Sequence, residues 1–394
     1  MSIYRNFIHA DRRCRRKFLI NMGWKGFLGF RKFQRRINKG SLFPAFQFIS
    51  VTNDCNLSCQ GCWVTASGTP DYMPPEMINS IIEAGKRQGS YFNGILGGEP
   101  LMHPELMNIF RVHPDCYFQL FTNGTMLTPK VAAELRSLGN VTPLISLEGD
   151  EAVADTRRGG HNIYNRTMDA IRNSISEKLI TGVAISVCKS NIDMALSDEF
   201  VNKLHDMGVL YLWYYIYRPA GSMPNYELAL DQDEIYRLRK FIVEGRDRFP
   251  IVLIDAYWSA EGEPFCPAAD GLSHHINPAG YIEPCPVLQI SADKINPDSA
   301  KSPYDGSVFL RDFRDQIHSK TKGCVLMEDP AWVKEFCIKH KALNTSNRPD
   351  YLDALETAPR TPSHGSCPVI PERKFLYRFA KRTAFFGMGA YGLY

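Results

Sequence analysis

The sequence lacks any uninterrupted apolar run long enough to cross a bilayer, although 44% of its 394 residues are hydrophobic. It also lacks, near its start, the compact apolar segment and small-residue cleavage site of a secretory signal. Internal repeats and low-complexity tracts are absent as well. These absences favour a globular cytoplasmic protein that forms one large domain with an extension, or two domains.

Acidic residues are scarce at both ends of the chain. Residues 1–40 hold twelve Lys or Arg against one acid, Asp11, and residues 372–394 hold five against Glu372. Because the net charge of the whole chain is only +4, the middle is strongly acidic. The basic ends predict an anionic partner, such as a membrane surface, a nucleic acid or a negatively charged substrate. We expect the first segment to pack across the open side of a barrel with its charges solvated, and peripheral membrane contact through the basic ends is the alternative. No motif indicates specific nucleic-acid binding.

Short apolar stretches alternate with amphipathic segments from residue 46 to residue 217. The strand candidates are Phe46–Val51, Gly94–Leu96, Tyr117–Thr122, Leu144–Leu147, Gly182–Val187 and Val209–Tyr217. Helices are expected between them, for example from Thr128 to Gly139 and from Ser197 to Gly208, where a capping residue precedes and a glycine follows. This alternation predicts a parallel sheet, doubly wound or barrel-like, with its chemistry at the carboxyl ends of the strands.

The eleven cysteines cannot all pair within one chain, because their number is odd. A reducing compartment also disfavours disulfides, so clustered cysteines point to metal binding. Cys55, Cys59 and Cys62 follow the first strand candidate with CxxxCxxC spacing. Three such thiolates can ligate three irons of a cubane cluster and leave the fourth iron for a cofactor or substrate. Zinc is the alternative, but a structural zinc site takes four protein ligands.

The loop around these cysteines resembles the cluster motif of the radical S-adenosylmethionine (radical SAM) superfamily. The resemblance implies a partial (β/α)6 TIM-like barrel of the α/β class. It implies a 4Fe–4S cluster that binds S-adenosylmethionine and, once reduced, cleaves it to methionine and a 5′-deoxyadenosyl radical that takes hydrogen from a substrate. It also implies a low-potential electron donor such as flavodoxin or ferredoxin. One position differs, since many members carry an aromatic residue directly before the third cysteine, where this chain has Gly61.

Strand ends supply the residues that the resemblance assigns to S-adenosylmethionine. By this match Gly97–Pro100 lines the amino group, while Ser146 and Arg158 hold the methionyl carboxylate, with Arg157 as the alternative. The residues assigned in this way are Gly97, Gly98, Glu99, Pro100, Asn123, Ser146 and Arg158. From residue type alone, Gly97–Pro100 and Asn123 are also turn signals.

Beyond residue 256 the sequence becomes rich in proline, glycine and cysteine. Its cysteines are Cys266, Cys285, Cys324, Cys337 and Cys367. The stretch 276–280 predicts a hairpin turn with Cys285 at its exit, and we expect His274 and His275 to be exposed there. The region resembles the SPASM or twitch extension of radical peptide-modifying enzymes, which holds auxiliary clusters. Four of the five thiols would complete one auxiliary 4Fe–4S cluster, with zinc as the alternative.

The chain divides by these criteria into four parts: a basic N-terminal segment (1–45), a radical SAM core barrel (46–255), an auxiliary-cluster region (256–370) and a basic amphipathic tail (371–394). The predicted function is that of a radical SAM oxidoreductase or maturase-type enzyme. Its substrate would be a peptide or protein side chain or a small metabolite. The alternative is a non-catalytic iron–sulfur protein for electron transfer or redox sensing, which would not need the cofactor-side residues at Gly97–Pro100, Ser146 and Arg158.

Overall fold

The computed structural model describes residues 4–64, 71–296 and 304–383. The strands in these residues are β1 (Phe46–Ser50), β2 (Phe92–Leu96), β3 (Tyr117–Thr122), β4 (Val141–Ser146), β5 (Gly182–Val187), β6 (Tyr211–Ile216), β7 (Val252–Ile254), β8 (Ser273–Ile276), β9 (Tyr281–Glu283), β10 (Ile290–Ser291), β11 (Asp293–Lys294) and β12 (Leu343–Asn344). All but β10 and β12 form one sheet, in the order β11-β9-β8-β1-β2-β3-β4-β5-β6-β7. The strands β1 to β7 run parallel to one another.

Helices cover this sheet and extend beyond it. They are α1 (Tyr4–His9), α2 (Arg12–Lys17), α3 (Lys25–Ile37), α4 (Pro75–Gln88), α5 (Leu106–Val112), α6 (Pro129–Leu138), α7 (Glu151–Arg158), α8 (Ile163–Ser176), α9 (Ile192–Ala195), α10 (Asp198–Met207), α11 (Gln232–Arg248), α12 (Val308–Ile317), α13 (Val325–Glu328), α14 (Pro330–Lys339), α15 (Tyr351–Thr357) and α16 (Phe375–Thr383), with a π-helical segment, Phe18–Trp24, between α2 and α3. The alternation of parallel strands with α4 to α11 confirms the predicted TIM-like α/β fold. None of the helices in the described residues is long and apolar enough to cross a membrane.

Local capping signals place the helix ends where the sequence predicts them. The Thr128 side chain accepts a hydrogen bond from the Val131 amide at the start of α6, and Gly139 ends that helix with φ of 74°. Ser197 caps α10 in the same way by accepting from the Phe200 amide. Both helices therefore begin and end through interactions among near neighbours in sequence, which explains why their bounds are predictable.

The predicted hairpin is present, but its first strand continues the barrel sheet. Strand β8 lies parallel to β1, with His275 opposite Phe48, and pairs with β9 on its other side. His274 and His275 are consequently buried. The prediction that these two histidines are exposed is wrong, because a strand inserted into a parallel sheet is covered on both faces.

The basic N-terminal segment covers the end of the barrel at which the strands begin. Phe30 and Phe33 of α3 pack in one cluster with Phe46, Phe92 and Tyr117, the first residues of β1, β2 and β3. The segment therefore closes the amino end of the barrel and does not lie across the open side of the sheet. The carboxyl ends of the strands, where the chemistry is expected, are at the opposite end.

The C-terminal helix α16 is held against the last strand by buried charge. Lys381 is 1% exposed and contacts Asp255, which follows β7. The remainder of the predicted tail, residues 384–394, lies outside the described residues.

Candidate functional site

The three cysteines of the CxxxCxxC motif lie in the loop that leaves the carboxyl end of β1. Burial raises the pKa of Cys55 to about 11 and that of Cys62 to about 12, and the neighbouring Cys59 thiol raises both further. The Cys62 amide also donates to the Cys59 carbonyl at 3.3 Å. The fold therefore places Cys55, Cys59 and Cys62 in one loop at the carboxyl end of β1, and cluster binding by these thiols stays a prediction.

Close backbone contacts with the next strand hold this loop in place. The Gly98 amide, beyond the end of β2, donates to the Thr52 carbonyl at 2.8 Å, and the Glu99 amide donates to the Asp54 carbonyl at the same distance. A Cβ atom on Gly98 would overlap the Asp54 carbonyl. Glycine at this position lets the second strand end approach the cysteine loop to backbone distance.

Tyr217 occupies the space beside the third cysteine. Gly61 has φ of 66°, and a Cβ atom there would overlap the hydroxyl and ring of Tyr217. Tyr217 follows β6 and is 2% exposed. Glycine at position 61 therefore leaves room for the Tyr217 ring beside the third cysteine.

Glu99 joins the ends of β2 and β3. It is fully buried, and its carboxylate accepts hydrogen bonds from the Thr122 hydroxyl at 2.8 Å and the Asn123 amide at 2.8 Å. Burial raises the pKa of Glu99, although these donors act in the opposite direction. Its side chain is therefore turned into the structure, and the partly exposed backbone of Gly97 and Gly98 is what this motif presents outward.

Asn123 contacts the cysteine loop directly. Its Nδ2 donates to the Asn56 side-chain oxygen at 2.9 Å and lies 4.0 Å from the Cys55 sulfur. Its own oxygen accepts from the Thr125 amide and hydroxyl, which fixes the orientation of the amide group. A donor held beside a thiolate sulfur is one of the ways in which a protein sets the potential of an iron–sulfur cluster.

Two arginines and a glutamate surround the second cysteine. Arg158 at the end of α7 directs Nη1 to the Cys59 sulfur at 3.7 Å and donates from Nη2 to Glu148 at 2.5 Å. Arg157 donates to the other Glu148 oxygen at 2.7 Å and to the Ser186 carbonyl at 2.9 Å. Burial alone would lower the pKa of Arg158, but Glu148 and Cys59 raise it well above its ordinary value.

Glu148 is a site residue that sequence reasoning passed over. The sequence alone assigns no role to Glu148, because its role depends on Arg157 and Arg158, which it meets through folding. Ser146, by contrast, is where the sequence predicts it, at the carboxyl end of β4 and half-buried. Pro100 starts a short 3-10 turn and is buried.

A second group of thiols lies between the barrel and the C-terminal region. Burial raises the pKa of Cys285, and its neighbours Cys266 and Cys324 raise it further. Arg218, after β6, acts in the opposite direction on Cys285, and the Cys324 and Cys285 thiols in turn raise the pKa of Arg218 against the effect of its burial. Arg218 also donates to the Tyr257 hydroxyl at 3.3 Å. The structure therefore brings three of the five candidate cysteines together beside a cation.

The other two candidate cysteines have hydrogen-bond partners of their own. The Cys337 thiol donates to the Ala342 carbonyl at 3.2 Å, at the end of its own helix α14. The Cys367 thiol donates to the Pro368 carbonyl at 3.4 Å and has Arg239 as its charged neighbour. An auxiliary cluster held by four of the five cysteines therefore stays a prediction.

A buried histidine links the two thiol groups. The ring nitrogens of His275 lie 2.7 Å from the Ser50 hydroxyl and 2.6 Å from the Glu283 carboxylate. The Trp63 ring, directly after Cys62, meets the His275 ring edge-on at 5.3 Å between centroids. Ser50, Trp63 and His275 border a cavity of about 40 Å³, which has room for about one water molecule.

Sulfur donors and nearby cations suit iron–sulfur clusters better than a single ion. Within the described residues, no group of three or more His, Cys, Asp or Glu side chains is arranged to hold one metal ion. A cubane makes a different demand, because each thiolate binds a separate iron. Structural zinc also takes four protein ligands, one more than each group of thiols supplies.

Comparison with known proteins identifies the barrel. Residues 49–212 match the family described as "Radical SAM superfamily". This part of the chain, which contains Cys55, Cys59 and Cys62, is similar to the radical SAM superfamily. Members of the superfamily use a 4Fe–4S cluster and S-adenosylmethionine, and the thiols of Cys55, Cys59 and Cys62 fit that cluster.

Individual relatives in the radical SAM superfamily share part of the chain. It is 26% identical over 209 residues to the GTP 3′,8-cyclase of Parasynechococcus marenigrum (strain WH8102), covering 50% of this chain and 56% of the relative. It is 24% identical over 271 residues to the sporulation killing factor maturation protein SkfB of Bacillus subtilis (strain 168), covering 66% and 64%. The chain thus spans less than two thirds of the length of either relative.

A solved radical SAM structure shares the fold. Streptococcus suis SuiB bound to S-adenosylmethionine superposes with a TM-score of 0.58 at 16% identity, over 75% of this chain and 73% of that one. The same protein bound to its precursor peptide SuiA superposes with a TM-score of 0.57. At this level of identity the likeness concerns the fold alone.

Proposed function

We propose that this protein is a radical SAM enzyme that cleaves S-adenosylmethionine reductively and removes a hydrogen atom from a peptide or protein side chain or a small metabolite. The observation that carries the proposal is the gathering of Cys55, Cys59 and Cys62 with Arg158 and the Gly97–Gly98 backbone at the carboxyl end of one parallel sheet. An electron-transfer protein would need the thiols but not this cofactor-side arrangement.

Different residues of the chain would bind the cluster and the parts of S-adenosylmethionine. When bound, the reduced cluster would supply one electron. That electron would cleave the sulfonium bond of S-adenosylmethionine to give methionine and a 5′-deoxyadenosyl radical. The three thiolates would hold the cluster, and Arg158 would offset their charge. Arg158 and Ser146 would bind the methionyl carboxylate, while the Gly97–Gly98 backbone faces the amino group.

A second cluster is part of the proposal, held by Cys266, Cys285 and Cys324. Three protein ligands leave one iron of a cubane without a thiolate from this group. Arg218 lies beside this group of thiols and donates to the Tyr257 hydroxyl. A substrate with a polar side chain or a terminal amine or carboxylate could be held there.

The nature of the relatives favours a peptide substrate. SkfB is named as a maturation protein for a killing factor, and SuiB has been crystallised with a precursor peptide. The finer partner assignments are a low-potential donor such as flavodoxin or ferredoxin, which would deliver the electron, and peripheral membrane contact through the basic ends.

The proposal is tested anaerobically with the full-length chain. The protein is reconstituted with iron and sulfide, reduced with dithionite and given S-adenosylmethionine, and 5′-deoxyadenosine is quantified. We expect product that disappears in Cys59→Ala and persists in Cys116→Ala, whose buried thiol lies at the opposite end of the barrel. Two results together would overturn the proposal in favour of electron transfer. The reconstituted cluster would give no product, and its electron paramagnetic resonance spectrum would not change when S-adenosylmethionine is added.

A further inference from the structure

The N-terminal helices expose apolar side chains that the core does not use. Leu19, Ile20, Trp24 and Leu28 are 56%, 46%, 62% and 42% exposed. They follow one another at helical spacing along the π-helical segment and α3, so they form one continuous strip. The opposite side of the same helices, including Phe30, is buried against the barrel. The strip is therefore free of any packing role in the described structure.

Arginines flank this apolar strip at both ends. Arg12 and Arg16 lie before it, Arg31 and Arg35 lie after it, and all four are exposed. Residues 12–40 contain no acidic residue at all. Within the described residues none of these four arginines forms an ion pair. We call the strip and its four arginines the N-terminal face.

Other basic residues of the same segment have a structural role. The ammonium groups of Lys17 and Lys25 donate to the Pro114 and Asp115 carbonyls, just before β3 begins. Arg36 donates to the Gln88 carbonyl at the end of α4. Attachment to the barrel therefore accounts for these cations but not for the four arginines of the N-terminal face, of which Arg31 lies over the Phe27 ring at 5.4 Å from its centroid.

We propose that the N-terminal face docks on a bilayer that contains anionic phospholipid. An apolar strip with an exposed tryptophan suits the boundary between headgroups and acyl chains, and flanking arginines suit lipid phosphates. A nucleic acid would engage the arginines but would leave Leu19, Ile20 and Leu28 exposed. A second copy of the chain would bring two strongly basic faces together. Of these three partners, an anionic bilayer is the one that would contact both the arginines and the apolar side chains.

Docking in this manner would orient the enzyme. The N-terminal face lies on the end of the barrel where the strands begin, and the thiol groups lie at the carboxyl ends of the strands. The bound protein would hold its site away from the bilayer, so its substrate would arrive from the aqueous side. This inference goes beyond the proposed radical chemistry and does not depend on it.

The test uses the full-length protein and vesicles of phosphatidylcholine, with or without phosphatidylglycerol. We expect cosedimentation only with the anionic vesicles, reversed by salt. Arg12→Ser, Arg16→Ser, Arg31→Ser and Arg35→Ser combined should weaken binding by more than about a hundredfold, at roughly fivefold for each arginine. A matched control removes four exposed basic residues elsewhere, by Lys130→Ser, Arg166→Ser, Lys189→Ser and Lys240→Ser, and should bind as the parent does.

A second readout locates the contact. Acyl-chain bromine should quench the emission of Trp24, and Trp24→Phe should remove that quenching while vesicle binding persists. Equal binding to vesicles without phosphatidylglycerol, or equal loss in the control variant, would overturn the proposal. So would arginine-dependent binding to RNA without vesicle binding, or an arginine-dependent dimer in light scattering.

Discussion

The guanidinium of Arg158 lies 3.7 Å from the sulfur of Cys59 and donates at 2.5 Å to Glu148. Arg218 stands in a similar relation to the second group of thiols, since Cys324 and Cys285 raise its pKa. Each group of three thiols is therefore accompanied by one partly buried cation. Gathering thiolates away from water is costly, and an adjacent guanidinium offsets part of that cost.

Replacing Arg158 should weaken the binding of S-adenosylmethionine. Arg158→Gln removes the cation beside Cys59, and we expect the dissociation constant in anaerobic equilibrium dialysis to rise by about tenfold or more. Arg158→Lys should recover only part of the affinity, because an ammonium keeps the charge but loses the paired geometry. The exposed Arg166→Gln is the control. Unchanged affinity in Arg158→Gln would show that this guanidinium serves only to hold Glu148.

The fit of Gly61 against Tyr217 can be tested through iron retention. Gly61→Ala adds a Cβ that overlaps Tyr217 and must also adopt φ of 66°, so we expect much less iron bound at the first site. Gly40→Ala separates the two effects, because φ there is 79° but no atom lies within 4 Å of the added Cβ. The control should therefore lose only about 1 kcal/mol of stability and keep its iron. Iron loss in both variants would assign the effect to backbone strain.

Sequence reasoning succeeded for features set by near neighbours along the chain. Thr128 and Gly139 delimit α6 through contacts within that helix, and the cysteine loop follows β1 directly. It failed where distant segments meet. The burial of His275 requires β8 to pair with β1, and Tyr217 reaches Gly61 only because β6 ends at the same edge of the sheet. No pattern of neighbouring residues in the sequence predicts either contact.

Replacing a cysteine of the second group of thiols should lower the iron content, whereas replacing Cys337 should not. Cys285→Ala removes a ligand beside Cys266 and Cys324, so the reconstituted protein should fall from about eight to about four irons per chain. Cys337→Ala removes a thiol that donates only to the Ala342 carbonyl, and it should keep the full iron content. Iron and sulfide are measured by colorimetric assay on protein of known concentration. Iron loss in Cys337→Ala, with Cys285→Ala unaffected, would contradict the assignment.

Five buried charges fasten the C-terminal helix to the barrel. Asp255 accepts hydrogen bonds from Arg239 at 3.0 Å and Arg246 at 2.7 Å, and the Lys381 ammonium lies 2.8 Å from Glu372 and 3.0 Å from Asp255. The side chains of all five are fully buried. Three cations thus face two carboxylates. Removing a carboxylate from this group should therefore destabilise the protein more than removing a cation.

Glu372→Gln should therefore destabilise the protein more than Lys381→Met. The first change leaves three buried cations with Asp255 alone, and we expect the free energy of unfolding to fall by about 3–5 kcal/mol. The second change leaves two cations with two carboxylates and should cost less than about 2 kcal/mol. Urea unfolding of both variants measures the difference. The reverse order would mean that Lys381 is held chiefly by its bond to the Trp258 carbonyl.

Because of Lys381, we also expect the stability of the folded protein to rise as the pH is raised above neutrality. Burial lowers its pKa from 10.5 to about 8, although the two carboxylates oppose this shift. Between these values the unfolded chain holds a proton that the folded protein has released, so raising the pH disfavours unfolding. The free energy of unfolding of the parent, relative to Lys381→Met, should accordingly increase by roughly 1–3 kcal/mol across this range. Because other titrating groups are common to both proteins, their effects cancel in the difference. A difference that stays flat with pH would show that Lys381 remains charged in the folded state and that its carboxylate partners outweigh its burial.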